Sequence, residues 1–272
     1  MKKLMMVLVG AMFLSLAVIG QDAKAVIDAS AKAMGTASLQ SIQYSGTGSV
    51  FMFGQAPGPG APWPRFRVVK YTNAINYSGP ALREELVRVE VENPPRGGGA
   101  GGFNPATGQG GMRPQIGEQT VLRQATARTE AGRLDIWMTA HGFLKAAAEN
   151  AASAKVTTTG GKRAISFPAF GGKHTVTGTI NDQNLVERVE TLVDNAVLGD
   201  TPVEFTYSDY KDFGGVKFPT RIVRREAGHP TLDLTISTVQ PNGAATLEVP
   251  ENPPPAAPAP ARAEAQKVAE GV

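Results

Sequence analysis

Residues 203–225 read VEFTYSDYKDFGGVKFPTRIVRR. Two alternating runs, Val203–Tyr210 and Val216–Arg225, flank Gly214-Gly215, and a Gly turn between period-two runs is a β-hairpin signal. Phe205 and Tyr207 fall on one phase of the first run, Phe218 and Ile222 on one phase of the second. Successive side chains of a strand point to opposite faces, so each pair shares a face and the segment reads as half-buried antiparallel ribbon.

The same pattern recurs on both sides. Downstream, Leu232–Val239 sets Leu232, Leu234 and Ile236 on one phase. Upstream, Lys155–Thr159, Arg163–Phe167, Lys173–Ile180 and Leu185–Val193 are extended runs, the last two joined by the polar turn Asn181-Asp182-Gln183-Asn184. Nearer the N-terminus, Ile42, Tyr44, Val50 and Met52 share a face, Arg65–Tyr77 is extended, and Val87, Val89 and Val91 alternate with Arg88, Glu90 and Glu92. Thr120–Thr129 and Arg133–Met138 are the remaining expected strands.

Two segments carry the helical period instead. Asp22 caps a helix over Asp22–Met34, with Val26, Ala29, Ala33 and Met34 on its apolar side and Gly35 as its stop. Thr139 caps a second over His141–Asn150, with Phe143, Leu144 and Ala147 on one side. No βαβ alternation appears, which excludes a doubly wound parallel sheet. The expected fold is α+β, mainly β: a large curved antiparallel sheet, with an N-terminal helix and a second helix covering the concave face.

The chain has 272 residues, 27 Lys and Arg against 24 Asp and Glu, three His and no Cys. The absence of cysteine excludes disulfides, thiolate metal sites and a Cys nucleophile. Lys2 and Lys3 precede an uncharged apolar run from Leu4 to Ile19, shorter than the roughly 20 residues of a membrane span, and this reads as a signal peptide. Cleavage after Gly20 or Ala25 fits; Gly20 is favoured because it leaves Asp22 to cap the helix. Without residues 1–20, 25 basic residues face 24 acidic ones, so the basic balance belongs largely to the export signal and no phosphate-tracking patch remains. The expected organisation is a signal peptide over 1–20, one domain over 21–249 with a mobile Gly/Pro-rich loop at 94–117, and a Pro/Ala-rich linker over 250–272. An exported protein, periplasmic or secreted and without a permanent membrane anchor, is expected.

Several motifs dissolve in context. Gly97, Gly99 and Gly102 match G-x-G-x-x-G, but Pro94-Pro95 precede them and Pro105 follows, where a dinucleotide site needs a strand and a helix. Ser208-Asp209-Tyr210-Lys211 matches S-x-x-K, yet residues three apart on a strand face opposite ways. His141, His174 and His229 are widely separated, and Glu187, Glu190 and Asp194 read as a solvated strand face. No catalytic, cofactor-binding or metal-binding residue is assigned. An apolar cavity on the concave face is the remaining candidate, lined by Phe205, Tyr207, Phe218, Ile222, Leu232, Leu234 and Ile236 from the strands. Trp137, Phe143 and Leu144 would come from the covering segment. Ordinary core packing explains the same apolar faces, and both readings stand at this point.

The run Tyr207–Ile222, a Tyr-rich strand, a tight Gly turn and a strand with Phe218-Pro219, resembles the hairpin of LolA-like, lipoprotein-sorting-type half-barrel domains. SIQYSGTGSVFMFGQ, PWPRF, ALREELVRVEVENPPRGGG, HGFLKAA and TINDQNLVERVETLVDNAVLGD resemble the N-terminal region of secreted bacterial MBL-fold (metallo-β-lactamase-like) hydrolases. Residues 266–272 look like the opening of the zinc domain that follows in that family. The H-x-H-x-D-H cluster that binds its zinc is absent from this sequence, so no zinc ligand is carried over. The resemblances imply a half β-barrel with a hydrophobic cavity. The expected function is an exported, non-catalytic accessory or binding module without a cofactor of its own. Its expected partners are a hydrophobic small molecule or lipid and a linked or downstream hydrolase domain, with no nucleic acid. Two alternatives are an N-terminal fragment of a zinc-dependent MBL-fold hydrolase and a periplasmic lipid or lipoprotein carrier.

Overall fold

The computed structural model describes residues 23–56, 60, 62–92, 103–104, 109–110 and 117–243. The decisive hairpin forms as read. Strands β11 (Gly199–Phe213) and β12 (Val216–Glu226) pair antiparallel from Phe213 opposite Val216 to Val203 opposite Glu226. Tyr207 faces Ile222 across the ladder. Four strands precede the hairpin in an unbroken meander: β7 (Lys155–Thr159), β8 (Lys162–Ala169), β9 (His174–Ile180) and β10 (Val186–Asn195). Strand β13 (His229–Pro241) follows it.

The N-terminal half is a second meander of β1 (Ser41–Phe51), β2 (Arg65–Asn76), β3 (Ala81–Glu92) and β6 (Gln119–Thr126). A separate two-residue ladder of β4 (Phe103–Asn104) with β5 (Gln109–Gly110) follows β3 and precedes β6 along the chain. The halves join where β1 pairs antiparallel with β13, giving one eleven-stranded sheet in the order β6-β3-β2-β1-β13-β12-β11-β10-β9-β8-β7. The sheet is open, curved and antiparallel throughout, as expected. Bulges interrupt the regular alternation. The register of β1 shifts at Ser45/Gly46 against β13, and β2 shifts against β3 at two places. Val87 and Val89 of β3 are accordingly half-buried, while Leu82 and Leu86 enter the core.

Three α-helices lie on the sheet. Helix α1 (Ala23–Met34) buries Val26, Ile27, Ser30 and Met34, one stripe at helical spacing, and Gly35 ends it in the left-handed conformation at φ 68. Helices α2 (Glu130–Trp137) and α3 (Ala140–Glu149) carry the chain from the β6 edge to the β7 edge. The expected strand at Arg133–Met138 is therefore corrected to helix. Thr129 caps α2 by accepting from Gly132 N, and Glu130 favours its first turn. The alternation of Leu134, Ile136 and Met138 misleads because all three are buried, while residues two apart on a helix point about 200° apart. Helix α2 packs against α3 as well as against β6 and β3, so it is covered on more than one side. Thr139 caps α3 as expected, accepting from Gly142 N at 3.2 Å.

One hydrophobic cluster runs under all three helices. Among the described residues no helix is long and apolar enough to cross a membrane. The expected signal peptide, Asp22, the linker over 250–272 and most of the loop at 94–117 lie outside the described residues.

Candidate functional site

Where α2 turns into α3, the helices roof a cavity of about 140 Å³ on the covered face of the sheet. Its walls come from both halves of the fold. Tyr44, Tyr71, Asn73 and Glu84 rise from β1, β2 and β3; Phe205, Tyr207, Phe218 and Ile222 rise from β11 and β12. The roof contributes Asp135, Thr139 and His141.

Strand periodicity brings the rings together. Tyr44 packs on Phe218 with centroids 4.8 Å apart and on Tyr71 at 6.1 Å. His141 stacks on the same Phe218 at 5.8 Å, and Phe205 stacks on Tyr207 at 6.3 Å. The Tyr207 hydroxyl donates to the Met138 carbonyl, pinning the α2–α3 junction to β11. Burial pushes the phenols of Tyr44, Tyr71 and Tyr207 well above their usual value, so they serve as neutral hydroxyls.

A polar chain runs along one wall. Asn73 Nδ2 donates to the Tyr44 hydroxyl at 2.9 Å and to the Tyr71 hydroxyl at 3.3 Å, and Tyr71 donates to Glu84 Oε2 at 3.0 Å. Arg123 bridges Glu84 at 3.3 Å and Asp135 at 2.6 Å. Burial opposes the charge on Arg123, but the two carboxylates outweigh it and hold the guanidinium above its ordinary value. Arg224 is held at 2.8 Å by Glu226, and its guanidinium carbon lies 5.7 Å from the Phe205 ring.

His141 is fully buried and its Nε2 lies 3.3 Å from the Met34 carbonyl. Burial pushes its pKa down to about 4; the Lys145 ammonium acts in the same direction, against the bond to Met34. The ring is neutral at physiological pH.

Five of the ten expected cavity residues line this space: Phe205, Tyr207, Phe218, Ile222 and Leu232. Phe143, Leu144, Leu234 and Ile236 are instead closed core, and Trp137 packs beside Phe167 and Phe170. Sequence reading missed Asn73, Glu84, Arg123 and Asp135, because a polar residue beside apolar ones on a strand or helix reads as a solvated face. A second cavity of about 240 Å³ adjoins the first. Leu134, Met138, Val193 and Val203 line it, and Asp135, Phe205 and Arg224 are shared by both.

The residues present do not fit a zinc centre. His174 Nδ1 lies 2.8 Å from the Leu192 carbonyl, His229 stacks on Trp63, and His141 lies against Met34. Among the described residues no group of three or more His, Cys, Asp or Glu could hold a metal ion.

No family model matches the chain, and no curated protein does. Solved structures resemble it, among them two crystal structures. One is a DUF1329 family protein from Desulfovibrio piger, at 10% identity and a TM-score of 0.38, covering 83% of this chain and 95% of that one. The other is a LolA superfamily protein from Nitrosomonas europaea, at 11% identity and a TM-score of 0.40, covering 81% of this chain and 94% of that one. Both are similar to this chain at the level of remote shape, and its fold class rests on the sheet itself.

Proposed function

We propose that this protein is an exported, non-catalytic binding module that holds a ligand with an apolar body in the cavity under the α2–α3 junction. The observation that carries this reading is the cavity itself, ringed by Tyr44, Tyr71, Phe205, Tyr207 and Phe218 and placed where the helices bridge the two halves of the sheet. Export is supported by the Lys2-Lys3 start and the apolar run behind it. The sequence resemblance to lipoprotein-sorting domains supports the same picture. At about 140 Å³ the cavity compares with engineered cavities that take a benzene-sized guest, so a two-chain lipid needs α2 to move. No cofactor is assigned.

Purified protein is expected to take up a fluorescent hydrophobe saturably, with one site per chain. Leu232→Trp, which fills the cavity from β13, is expected to abolish uptake while far-UV circular dichroism stays unchanged. A folded protein that takes up no hydrophobe refutes the reading. Bound zinc, measured by elemental analysis, refutes its cofactor-free part.

A second reading, in which this domain serves a linked MBL-fold hydrolase, is supported by the resemblance of segments such as HGFLKAA and residues 266–272. The coding DNA beyond Val272 tests it: an H-x-H-x-D-H motif in frame supports the link, and unrelated sequence removes it.

A further inference from the structure

We propose that the ligand of the α2–α3 cavity is an organic amine, held as its ammonium between Asn73 and His141. The proposal rests on the binding-module reading and names the chemistry of the bound molecule.

It starts from two atoms whose hydrogen-bonding roles are forced. A tyrosine hydroxyl has one proton, and that of Tyr71 is directed to Glu84 Oε2. The Asn73 atom 3.3 Å from the same hydroxyl oxygen must therefore be the donor, Nδ2. This turns Oδ1, an obligate acceptor, the other way, and it has no partner among the described residues. In His141, Nε2 faces the Met34 carbonyl, which only accepts, so Nε2 carries the proton of the neutral ring. Nδ1 is then a bare lone pair, also without a partner among the described residues. Asn73 is 3% exposed and His141 is 0% exposed, and both line the cavity.

Two buried acceptors without donors are costly unless something in the cavity donates to both. The surroundings favour a cation as that donor. Tyr44 packs on Phe218, and Phe218 on His141, so aromatic faces with negative potential border this end. Among the charged side chains lining the cavity, Glu84, Asp135 and Glu226 outnumber Arg123 and Arg224 by one. An ammonium offers three donors and one positive charge, matching both features.

The opposite pole is built differently. Arg224 Nε and Thr231 Oγ1 are buried there without partners. In the strand register Tyr44 lies beside Asn73, while Val50, six residues along β1, lies beside Leu232 and hence Arg224. Six residues of strand span roughly 20 Å, so Arg224 Nε and Thr231 Oγ1, two buried groups that can donate to a carboxylate or carbonyl, lie at the end remote from Asn73 and His141.

The test is titration calorimetry of the full chain as purified, at neutral pH, with hexylamine, 1-hexanol and hexanoate as probes. Hexylamine is expected to bind saturably and about tenfold more tightly than 1-hexanol, as a charge-assisted hydrogen bond to a buried acceptor implies. Asn73→Leu and His141→Phe are each expected to cost hexylamine about tenfold and to leave 1-hexanol within about twofold. The two positions lie on different elements, and far-UV circular dichroism identifies the folded variants, so either one alone decides. Equal affinity for the three probes, tightest binding of hexanoate, or folded variants that keep the amine preference overturns the amine assignment while leaving the binding-module reading intact. Failure of every probe to bind overturns both.

Discussion

Gly178 of β9 lies directly against the ring of Phe143 from α3. A Cβ at position 178 would overlap Phe143 Cε1 and Cζ, and Phe143 is fully buried with no room to swing away. The missing side chain of one strand residue thus seats the bulkiest residue of the covering helix. Gly178→Ala is expected to lower stability by about 1–3 kcal/mol, the usual cost of overpacking a filled core. Urea denaturation reads this as a lower midpoint at unchanged slope. Adding Phe143→Leu to Gly178→Ala is expected to recover part of the loss, since the shorter side chain vacates the overlap.

His141 makes stability depend on pH with a definite sign. Its pKa is about 4 when folded, depressed by burial, against 6.5 for the ordinary imidazole. Between those values the unfolded chain binds the proton and the folded chain does not, so acid favours unfolding. The stabilisation is full above about pH 6.5 and falls as pH drops toward 4, by about 3 kcal/mol in all. Unfolding free energies across this range are expected to slope less steeply in His141→Gln than in the parent protein. Identical slopes would show that the imidazole does not carry the effect.

Thr139 holds the bend between α2 and α3 from both sides. Its hydroxyl accepts from Gly142 N at 3.2 Å and donates to the Ile136 carbonyl at 2.7 Å. Thr139→Ala is expected to cost about 1 kcal/mol through loss of the cap. Thr139→Ser, which keeps the oxygen, is expected to retain most of that stability. Melting temperatures of the two variants check the comparison.

Tyr207 links the same bend to the sheet through its bond to the Met138 carbonyl. Tyr207→Phe leaves that buried carbonyl without its donor while preserving the ring that packs on Phe205. The expected cost is about 1–2 kcal/mol. Amide exchange at the α2–α3 junction is expected to quicken more than exchange in β8 and β9. Uniform acceleration would argue against a local tether.

The hairpins were legible because their information is local: Gly214-Gly215 and Asn181–Asn184 sit between runs of period two, and pairing follows from the turn. Thr139 marked α3 for the same reason. Helix α2 was not legible. Its apolar residues alternate as a strand's do, and only its contacts with α3, β6 and β3 explain why opposite sides of one helix are buried. The cavity was half legible. Apolar strand phases located Phe205, Tyr207, Phe218, Ile222 and Leu232, but Asn73 and Glu84 acquire meaning only through Tyr44 and Tyr71 beside them. The β1–β13 seam, in which Tyr44 meets Val239, joins residues nearly two hundred positions apart and leaves no mark on either segment alone.

That seam governs the order in which the molecule can come together. Strand β13 is among the last parts of the described chain to be synthesised, yet it occupies an interior place between β12 and β1. Until it arrives, β1 has an unclaimed flank and the two meanders are separate ribbons, each with a raw edge of amides and carbonyls. Completion of the sheet is thus a late, long-range event, the kind of closure that makes folding slow. A nascent chain cut short before His229 lacks the strand through which the two meanders pair.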